Sequence, residues 1–522
     1  MILSELIRRS LAAHAERPAI IDGSSTYTFA EVSERSHRLV NALRSLGIEK
    51  DDRVATLSPN SVTTLEEILG LALGGYARAA LHAMNSGPAH RQMLEAAGAR
   101  ALITTAEFYE RFKSDLDAVP SLDVILVHGA HDESQLDYET VLALASPHDA
   151  LVEVSGDTIS HLAYSSGTSG TPRASVHTQA SWVFVAADNA GFLPRMSDSD
   201  VYLAVAPLTH AASTVLFALL HAGASVRIMD HFEPGGALAI VESEKVTSTV
   251  MVPTMLRMLA EHPDARTRDL SSLRWILYAG APISPETAAL AQDVFGSVLF
   301  QTYGQSECLP ATVLTPEDHE RGSHGNPSLL RSAGRPILTS SVKILTADDA
   351  LAGIGELGEI AVKANGRMVG IYGDPAATAA RFTPDGFVRT NDIGYLDPDG
   401  YLYVVDRKDD MIISGGFNIW PAEIESVLVT HDAVDEAAVF GIPHAKWGET
   451  PVAVVVIHDG ASVTEADLIE VCRRSIGSMK KPSSIVLRTE PLPRNQLGKL
   501  ERRALREQYW SASSVERQVS GA

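Results

Sequence analysis

The sequence predicts an α/β fold: a large N-terminal domain of βα-type sheets with helices plus a β subdomain, then a small α+β C-terminal domain. Three observations predict it. Amphipathic helical stretches alternate with short apolar strands up to about residue 300, the pattern of parallel βα units. After about residue 340 the texture changes to short strands joined by polar turns. Beyond Asp406 helix and strand signals mix in a compact tail.

Taken in order, Phe29 to Leu46 carries apolar residues at helical spacing, and Arg53–Leu57 then reads as a strand. Ala101–Thr104, Val124–Val127, Trp275–Tyr278 and Val298–Phe300 are further short strands separated by helical patterns. From Val201 to Val226 no charged residue occurs, but Pro207, His210 and Gly223 interrupt the run. A buried strand and helix of the α/β core account for it better than a membrane span. Val342–Leu345, Gly358–Val362 and Tyr401–Val405 form an antiparallel β subdomain at about 335–405, its last strand entered by the turn Asp397-Pro398-Asp399-Gly400. The N-terminal domain is thus expected over 1–405, a short charged link over 406–410, and the C-terminal domain over 411–522. In that tail we expect a helix from Pro421, strands around Ala437–Phe440 and Pro451–Ile457, and a helix near Glu465–Ile476.

Bulk properties narrow the function. A chain of 522 residues exceeds one core, since domains run to roughly 100–200 residues. With 43 basic against 65 acidic residues the net charge is −22, which disfavours non-specific nucleic-acid binding but leaves room for a locally positive site for an anion such as ATP. Only Cys308 and Cys472 occur, so no disulfide framework is implied and a reducing, cytoplasmic compartment is expected. The start, Met1 to Glu5, lacks a basic flank followed by an apolar run, so no signal peptide is expected.

The first segment with chemical content is Tyr164-Ser165-Ser166-Gly167-Thr168-Ser169-Gly170-Thr171-Pro172-Arg173, read as following a strand (Ile159, His161, Ala163) and preceding a helix. Its small residues and glycines let backbone N–H groups approach an anion, and its hydroxyls add donors. A flexible surface turn has the same composition, and the Gly-Lys-Ser/Thr ending of a P-loop is missing.

The segment resembles the phosphate loop of the acyl-adenylate-forming superfamily: acyl- and aryl-CoA ligases, luciferases and peptide-synthetase adenylation domains. Other matches follow in order. Tyr303-Gly304-Gln305-Ser306-Glu307, preceded by Thr302, resembles the family's aromatic-Gly-x-Thr-Glu segment, and Gly386 to Gly394 its ribose-binding strand. Asp406 to Asp410 with Gly415 to Glu425 resembles the hinge and C-terminal entry, and Pro493 to Lys499 the catalytic-lysine loop. The resemblance spans nearly the whole chain. It implies ATP, Mg²⁺ and coenzyme A as reactants with a small carboxylic acid, no nucleic acid, and a mobile C-terminal domain.

Roles follow from that resemblance. A carboxylate must attack a polyanionic phosphorus, so charge has to be screened and the reactants aligned. Lys499 would bridge carboxylate and α-phosphate, and Glu307 with Thr168 would hold Mg²⁺. Ser165, Ser166, Gly167, Thr168, Ser169, Gly170 and Arg173 would line the polyphosphate, with Gly280, Ala281, Pro282 and Thr302 to Ser306 around the nucleotide. Asp392 would accept from the ribose hydroxyls and Arg407 would reach ribose or phosphate. Without the motifs, Lys499 is a solvated lysine, Glu307 a helix-cap carboxylate, and Asp392 and Arg407 a turn residue and a surface ion pair. The pattern departs in three places: Pro172-Arg173-Ala174 for Pro-Lys-Gly, Asn391 for glycine, and Ser306 for threonine. Arginine keeps charge but offers a planar fork.

Pro207-Leu208-Thr209-His210 resembles the segment that gates the acyl pocket, and Met251, Gly280 and His210 would wall it. The run Ala211 to Val215 lacks the aspartate that amino-acid-activating relatives use, so a substrate with an apolar body is expected. His210 also reads as a core histidine. The hinge residue would be Asp409, and Gly415 and Gly416 would form the tunnel for a pantetheine arm. Coenzyme A is the default acceptor and a separate acyl-carrier protein the alternative; a homodimer is compatible. A luciferase-like oxidative enzyme would share every motif, whereas a silent binding protein would be expected to lose Lys499 or Glu307.

Overall fold

A computed structural model describes residues 2–83, 85–130, 135–165, 172–209, 211–414, 417–444, 446–494, 500 and 502–510. Two compact units emerge: residues 1–342 with 362–388, and residues 343–361 with 389–522.

Among the described residues the first unit holds two large sheets. One has nine strands in the order Arg335–Pro336, Cys308–Leu314, Leu299–Gln305, Trp275–Ala279, Ser248–Met251, Val201–Ala204, Ser225–Ile228, Pro18–Asp22 and Ser25–Thr28. Its central neighbours from Leu299–Gln305 to Pro18–Asp22 pair in parallel. The other has eight, with Arg173–Thr178, Ile159–Ser165, Ala77–Ala80, Arg53–Leu57, Ala101–Thr105 and Val124–His128 as its main members.

Apolar runs explain the architecture. Leu203, Ala204, Val226, Ile276 and Leu277 are buried, as a strand covered on both faces requires. One core joins the two sheets through the helices Phe29–Ser45, Val62–Leu73, Gln179–Phe192 and Leu216–Ala222. The helix Phe29–Ser45 starts where Thr28 Oγ1 accepts from the Glu31 amide at 3.2 Å, while the Glu31 carboxylate accepts from the Thr28 amide at 2.7 Å. The uncharged run resolves into strand Val201–Ala204, a short 3-10 turn Ala211–Thr214 and helix Leu216–Ala222 before strand Ser225–Ile228. No helix among the described residues is long and apolar enough to cross a membrane.

The second unit is built on a four-stranded sheet, Ser340–Leu345, Gly358–Ala364, Val388–Leu396 and Leu402–Arg407 in that order, and on a five-stranded one. In the latter, Val434–His444 and Gly448–Ile457 form a long antiparallel pair, with Ser484–Arg488 added in parallel. Helices Pro421–Leu428 and Glu465–Ile476 pack on it through Ile424, Leu428, Leu468 and the buried Cys472.

Candidate functional site

In the first unit, the strands Ser248–Met251, Trp275–Ala279 and Leu299–Gln305 run side by side and end together. Met251 lies opposite Tyr278, and Ala279 opposite Thr302. The segments Gly280-Ala281-Pro282 and Thr302 to Ser306 therefore leave the same carboxyl edge of one sheet, where open α/β sheets bind ligands. Pro207 to Thr209 follows the carboxyl end of the neighbouring strand Val201–Ala204. Gly280 adopts φ +89°, a left-handed turn that glycine supplies without strain.

Leu299–Gln305 turns straight back into Cys308–Leu314 through Ser306 and Glu307. The pairing shifts between Tyr303 and Gln305, and a Cβ at Gly304 would lie 2.9 Å from the Cys308 carbonyl oxygen. Glycine is required there because the two backbones nearly touch. Glu307 is thus a hairpin-turn residue and not a helix cap. It is 5 % exposed, its Oε2 accepts from Ser306 Oγ at 3.0 Å, and Arg381 Nη2 stands 3.7 Å from its Oε1. Its own carbonyl accepts from the Met368 amide at 2.8 Å. The buried His177 donates from Nε2 to the Ser306 carbonyl at 2.6 Å. Burial holds the imidazole below its ordinary pKa against the pull of that carbonyl and of Glu307, so His177 serves as a neutral prop.

The segment Tyr164 to Arg173 differs from the sequence expectation in one respect. It precedes a strand, Arg173–Thr178, and only then the helix Gln179–Phe192. Ser165 lies opposite Arg173 in an antiparallel pair, so the two described flanks of the segment are neighbouring strands. Ala174, Val176 and Thr178 are buried along with Ser175 and His177, and a run covered on both faces has no alternation to announce it. Arg173 is exposed, with Nη2 4.0 Å from Asp374.

In the second unit, Asp392 and Arg407 are opposed in the hairpin Val388–Leu396/Leu402–Arg407, with Arg407 Nε 2.9 Å from Asp392 Oδ1. The aspartate side chain is 8 % exposed and the arginine 48 %. Asn391 takes φ +58°, the left-handed region. That accounts for the glycine of the resembling families, and asparagine is among the non-glycine residues that enter this region most readily. Asp406 is buried; its carboxylate accepts from the Ala422 amide at 2.9 Å, at the first turn of helix Pro421–Leu428, and from the Arg407 amide at 2.8 Å. Burial pushes its pKa up to about 6, against the pull of Arg502 and the Ala422 amide.

Of the remaining sequence candidates, Ser166, Gly167, Thr168, Ser169, Gly170, His210, Gly415, Gly416 and Lys499 lie outside the described residues, as do the side chains of Ser165 and Asp409. Met251 is 1 % exposed and packs in a core with Leu203, Leu256, Ile276 and Tyr278. His177 and Arg381 escaped sequence reasoning. Neither belongs to a motif, and each meets its partner only through tertiary pairing.

A divalent cation fits Glu307. Among the described residues no group of three or more His, Cys, Asp or Glu could hold a metal. A cation at this buried carboxylate would draw its other ligands from hydroxyl, phosphate and water oxygens, as Mg²⁺ does.

A family model described as AMP-binding enzyme matches residues 7–372, and one described as AMP-binding enzyme C-terminal domain matches 423–499. A medium/long-chain-fatty-acid–CoA ligase of Mycobacterium tuberculosis is 32% identical, covering 97% of this chain and 90% of that relative. A feruloyl-CoA synthase of Amycolatopsis sp is 34% identical over 96% of this chain and 97% of that one. Among solved structures, the amide bond synthetase of Marinactinospora thermotolerans aligns with TM-score 0.87 and 28% identity over 97% of this chain and 100% of that chain.

Proposed function

The chain belongs to the AMP-binding enzyme family, and from that premise we propose that it is an acid–thiol ligase: it converts a carboxylic acid with an apolar body to its acyl-adenylate and then to its coenzyme A thioester. In the first step a carboxylate oxygen attacks the α-phosphorus of ATP and pyrophosphate leaves. In the second the coenzyme A thiol attacks the acyl carbonyl, loses its proton, and AMP leaves.

The observation that carries this reading is the setting of Glu307. It is a buried carboxylate at the carboxyl edge of a parallel sheet, reached through a hairpin that tolerates no side chain at Gly304. Mg²⁺, when bound with the nucleotide, supplies charge neutralisation on the polyphosphate. Glu307 and Thr168 hold it, Arg173 and residues 166–171 hold the phosphates, and Asp392 and Arg407 orient the ribose. Lys499 supplies positive charge where the transition state gathers negative charge. Gly280 and the 207–210 segment border the acyl group, Gly415 and Gly416 admit the pantetheine arm, and the C-terminal part 411–522 pivots at Asp409 between the half-reactions. The two cysteines, both buried and free, suit a cytoplasmic enzyme.

The full-length likeness to a fatty-acid–CoA ligase and a feruloyl-CoA synthase supports both aliphatic and aryl acids as candidates. The test is pyrophosphate release across a panel of medium- and long-chain fatty acids, ferulate and polycyclic acids, with and without coenzyme A. We expect release with at least one acid and thioester only with coenzyme A. Release followed by transfer to a carrier protein alone would replace coenzyme A as acceptor. No release with any acid would overturn the reading.

A further inference from the structure

The short helix Pro375–Arg381 has an acidic residue at one end and a basic one at the other, and each faces a residue of the nucleotide site. Asp374, its N-cap, lies 4.0 Å from Arg173; Arg381, its last residue, lies 3.7 Å from Glu307. The chain leading into the helix is tied to the same two elements. The Met368 amide donates to the Glu307 carbonyl at 2.8 Å, the Val369 amide to Val176 at 2.9 Å, and the Tyr372 amide to Ala174 at 2.9 Å. Gly370 and Ile371 pair antiparallel with Val176 and Ser175. Residues 368–381 thus form a strap that joins the strand Arg173–Thr178 to the Glu307 turn.

Glu307 poses an electrostatic problem that this strap answers. A carboxylate almost sealed from water repels incoming polyphosphate and is costly to hold charged without a counter-ion. Arg381 is the cation beside it. At 3.7 Å the contact lies beyond hydrogen-bond length and the guanidinium side chain keeps 25 % of its exposure. Arg381 and Glu307 are joined by charge across 3.7 Å, with no hydrogen bond between the two.

We propose that Arg381 is the resident counter-ion of Glu307, a positioning residue that neutralises the carboxylate in the nucleotide-free enzyme and cedes it when ATP binds with its divalent cation. The proposal rests on the reading of Glu307 as the metal-facing carboxylate. It makes Arg381 a determinant of how strongly nucleotide binding depends on metal, and it gives the strap a task beyond holding two loops together.

The experiment measures ATP binding to the full-length protein by calorimetry, once with Mg²⁺ and once with EDTA, and takes the ratio of the two dissociation constants. In Arg381→Ala, metal-free ATP meets an uncompensated buried carboxylate while metal-bearing ATP does not, so the ratio should rise about tenfold or more. Arg381→Lys should restore it to near the wild-type value, and adding Glu307→Gln to Arg381→Ala should abolish the rise. Arg381→Gln, which keeps most of the side-chain length, serves if the alanine variant does not fold. A folded variant that weakens both dissociation constants alike and leaves the ratio unchanged overturns the proposal. If Glu307→Gln alone leaves the wild-type ratio intact, the reading of Glu307 falls with it; if Glu307→Gln changes the ratio and Arg381→Ala does not, only the counter-ion role falls.

Discussion

Glu307 in the first unit and Asp392 in the second are built from the same parts by opposite routes. Each is a nearly buried carboxylate on a hairpin with an arginine beside it. Arg407 reaches Asp392 by register: the two residues are opposed across adjacent strands only fifteen positions apart, and the contact is 2.9 Å. Arg381 reaches Glu307 through a strap that leaves the hairpin, pairs with another sheet and returns, and its contact is 3.7 Å. Register makes a close pair. Tertiary threading makes a looser one, which suits a carboxylate that must change partner. The comparison separates holding from exchanging, and each prediction below strains that distinction.

The largest effect should come from outside both pairs. If the carboxylates position reactants and Lys499 stabilises the transition state, Lys499→Ala should slow adenylation by about 10²–10³, the usual loss for one preorganised donor. Thioester formation from pre-made acyl-AMP should be spared. Equal losses in both half-reactions would mean that Lys499 acts in both, and the division of labour would fail.

Next in size is the pH response of Asp406, a third buried carboxylate whose arginine pairs elsewhere. Arg502 binds Glu425 at 2.7 Å and stands 3.5 Å from Asp410, so it relieves Asp406 only from a distance. With a folded pKa of about 6, raised from an ordinary value near ~4, the folded protein keeps a proton that the unfolded chain releases. This stabilising contribution is present below about pH 4 and lost as pH rises through about 6, for at most about 3 kcal/mol. Asp406→Asn should flatten the stability profile of denaturant unfolding between those values. An unaltered profile would show that another group titrates there.

Asp392→Ala should raise the KM for ATP about tenfold with kcat little changed, the mark of an interaction made equally in ground and transition states. A matching fall in kcat would place Asp392 with the groups that act on the transition state and erase the contrast with Lys499.

The smallest effects concern Asn391. Asn391→Val forces a β-branched residue into φ +58° and should cost about 1–2 kcal/mol of stability. Asn391→Gly should change it by no more than about 0.5 kcal/mol, because relieved strain and added chain entropy oppose each other. Thermal denaturation of both variants decides the point, and a tolerated valine would show that the hairpin does not depend on the left-handed turn.

What the sequence makes legible follows the same division between local and threaded. Arg53–Leu57 is read to the residue and a helix is placed near Glu465–Ile476, because apolar spacing is a local signal; the structure adds the Thr464 cap. Asn391 is visible as a departure from glycine, and the positive φ supplies its meaning. Arg173–Thr178 is hidden because five successive residues are buried, which erases the alternation that marks a half-exposed strand. His177 and Arg381 are hidden for a deeper reason. One lies 129 residues from Ser306 and the other 74 from Glu307, and no periodicity reports such a meeting.

The burial of Met251 has a consequence for anyone wishing to retarget the enzyme. At 1 % exposure, Met251 packs in the core under the sheet, so a smaller residue placed there to widen the expected acyl pocket would trade thermal tolerance for substrate range. Gly280 has spare room, its nearest neighbour to a hypothetical Cβ being Val252 at 3.9 Å, but its backbone turn refuses side chains. The loop after strand Val201–Ala204 carries neither burden to the same degree at Pro207, which is exposed. A combinatorial library for new acids belongs in that loop, with the sheet left untouched.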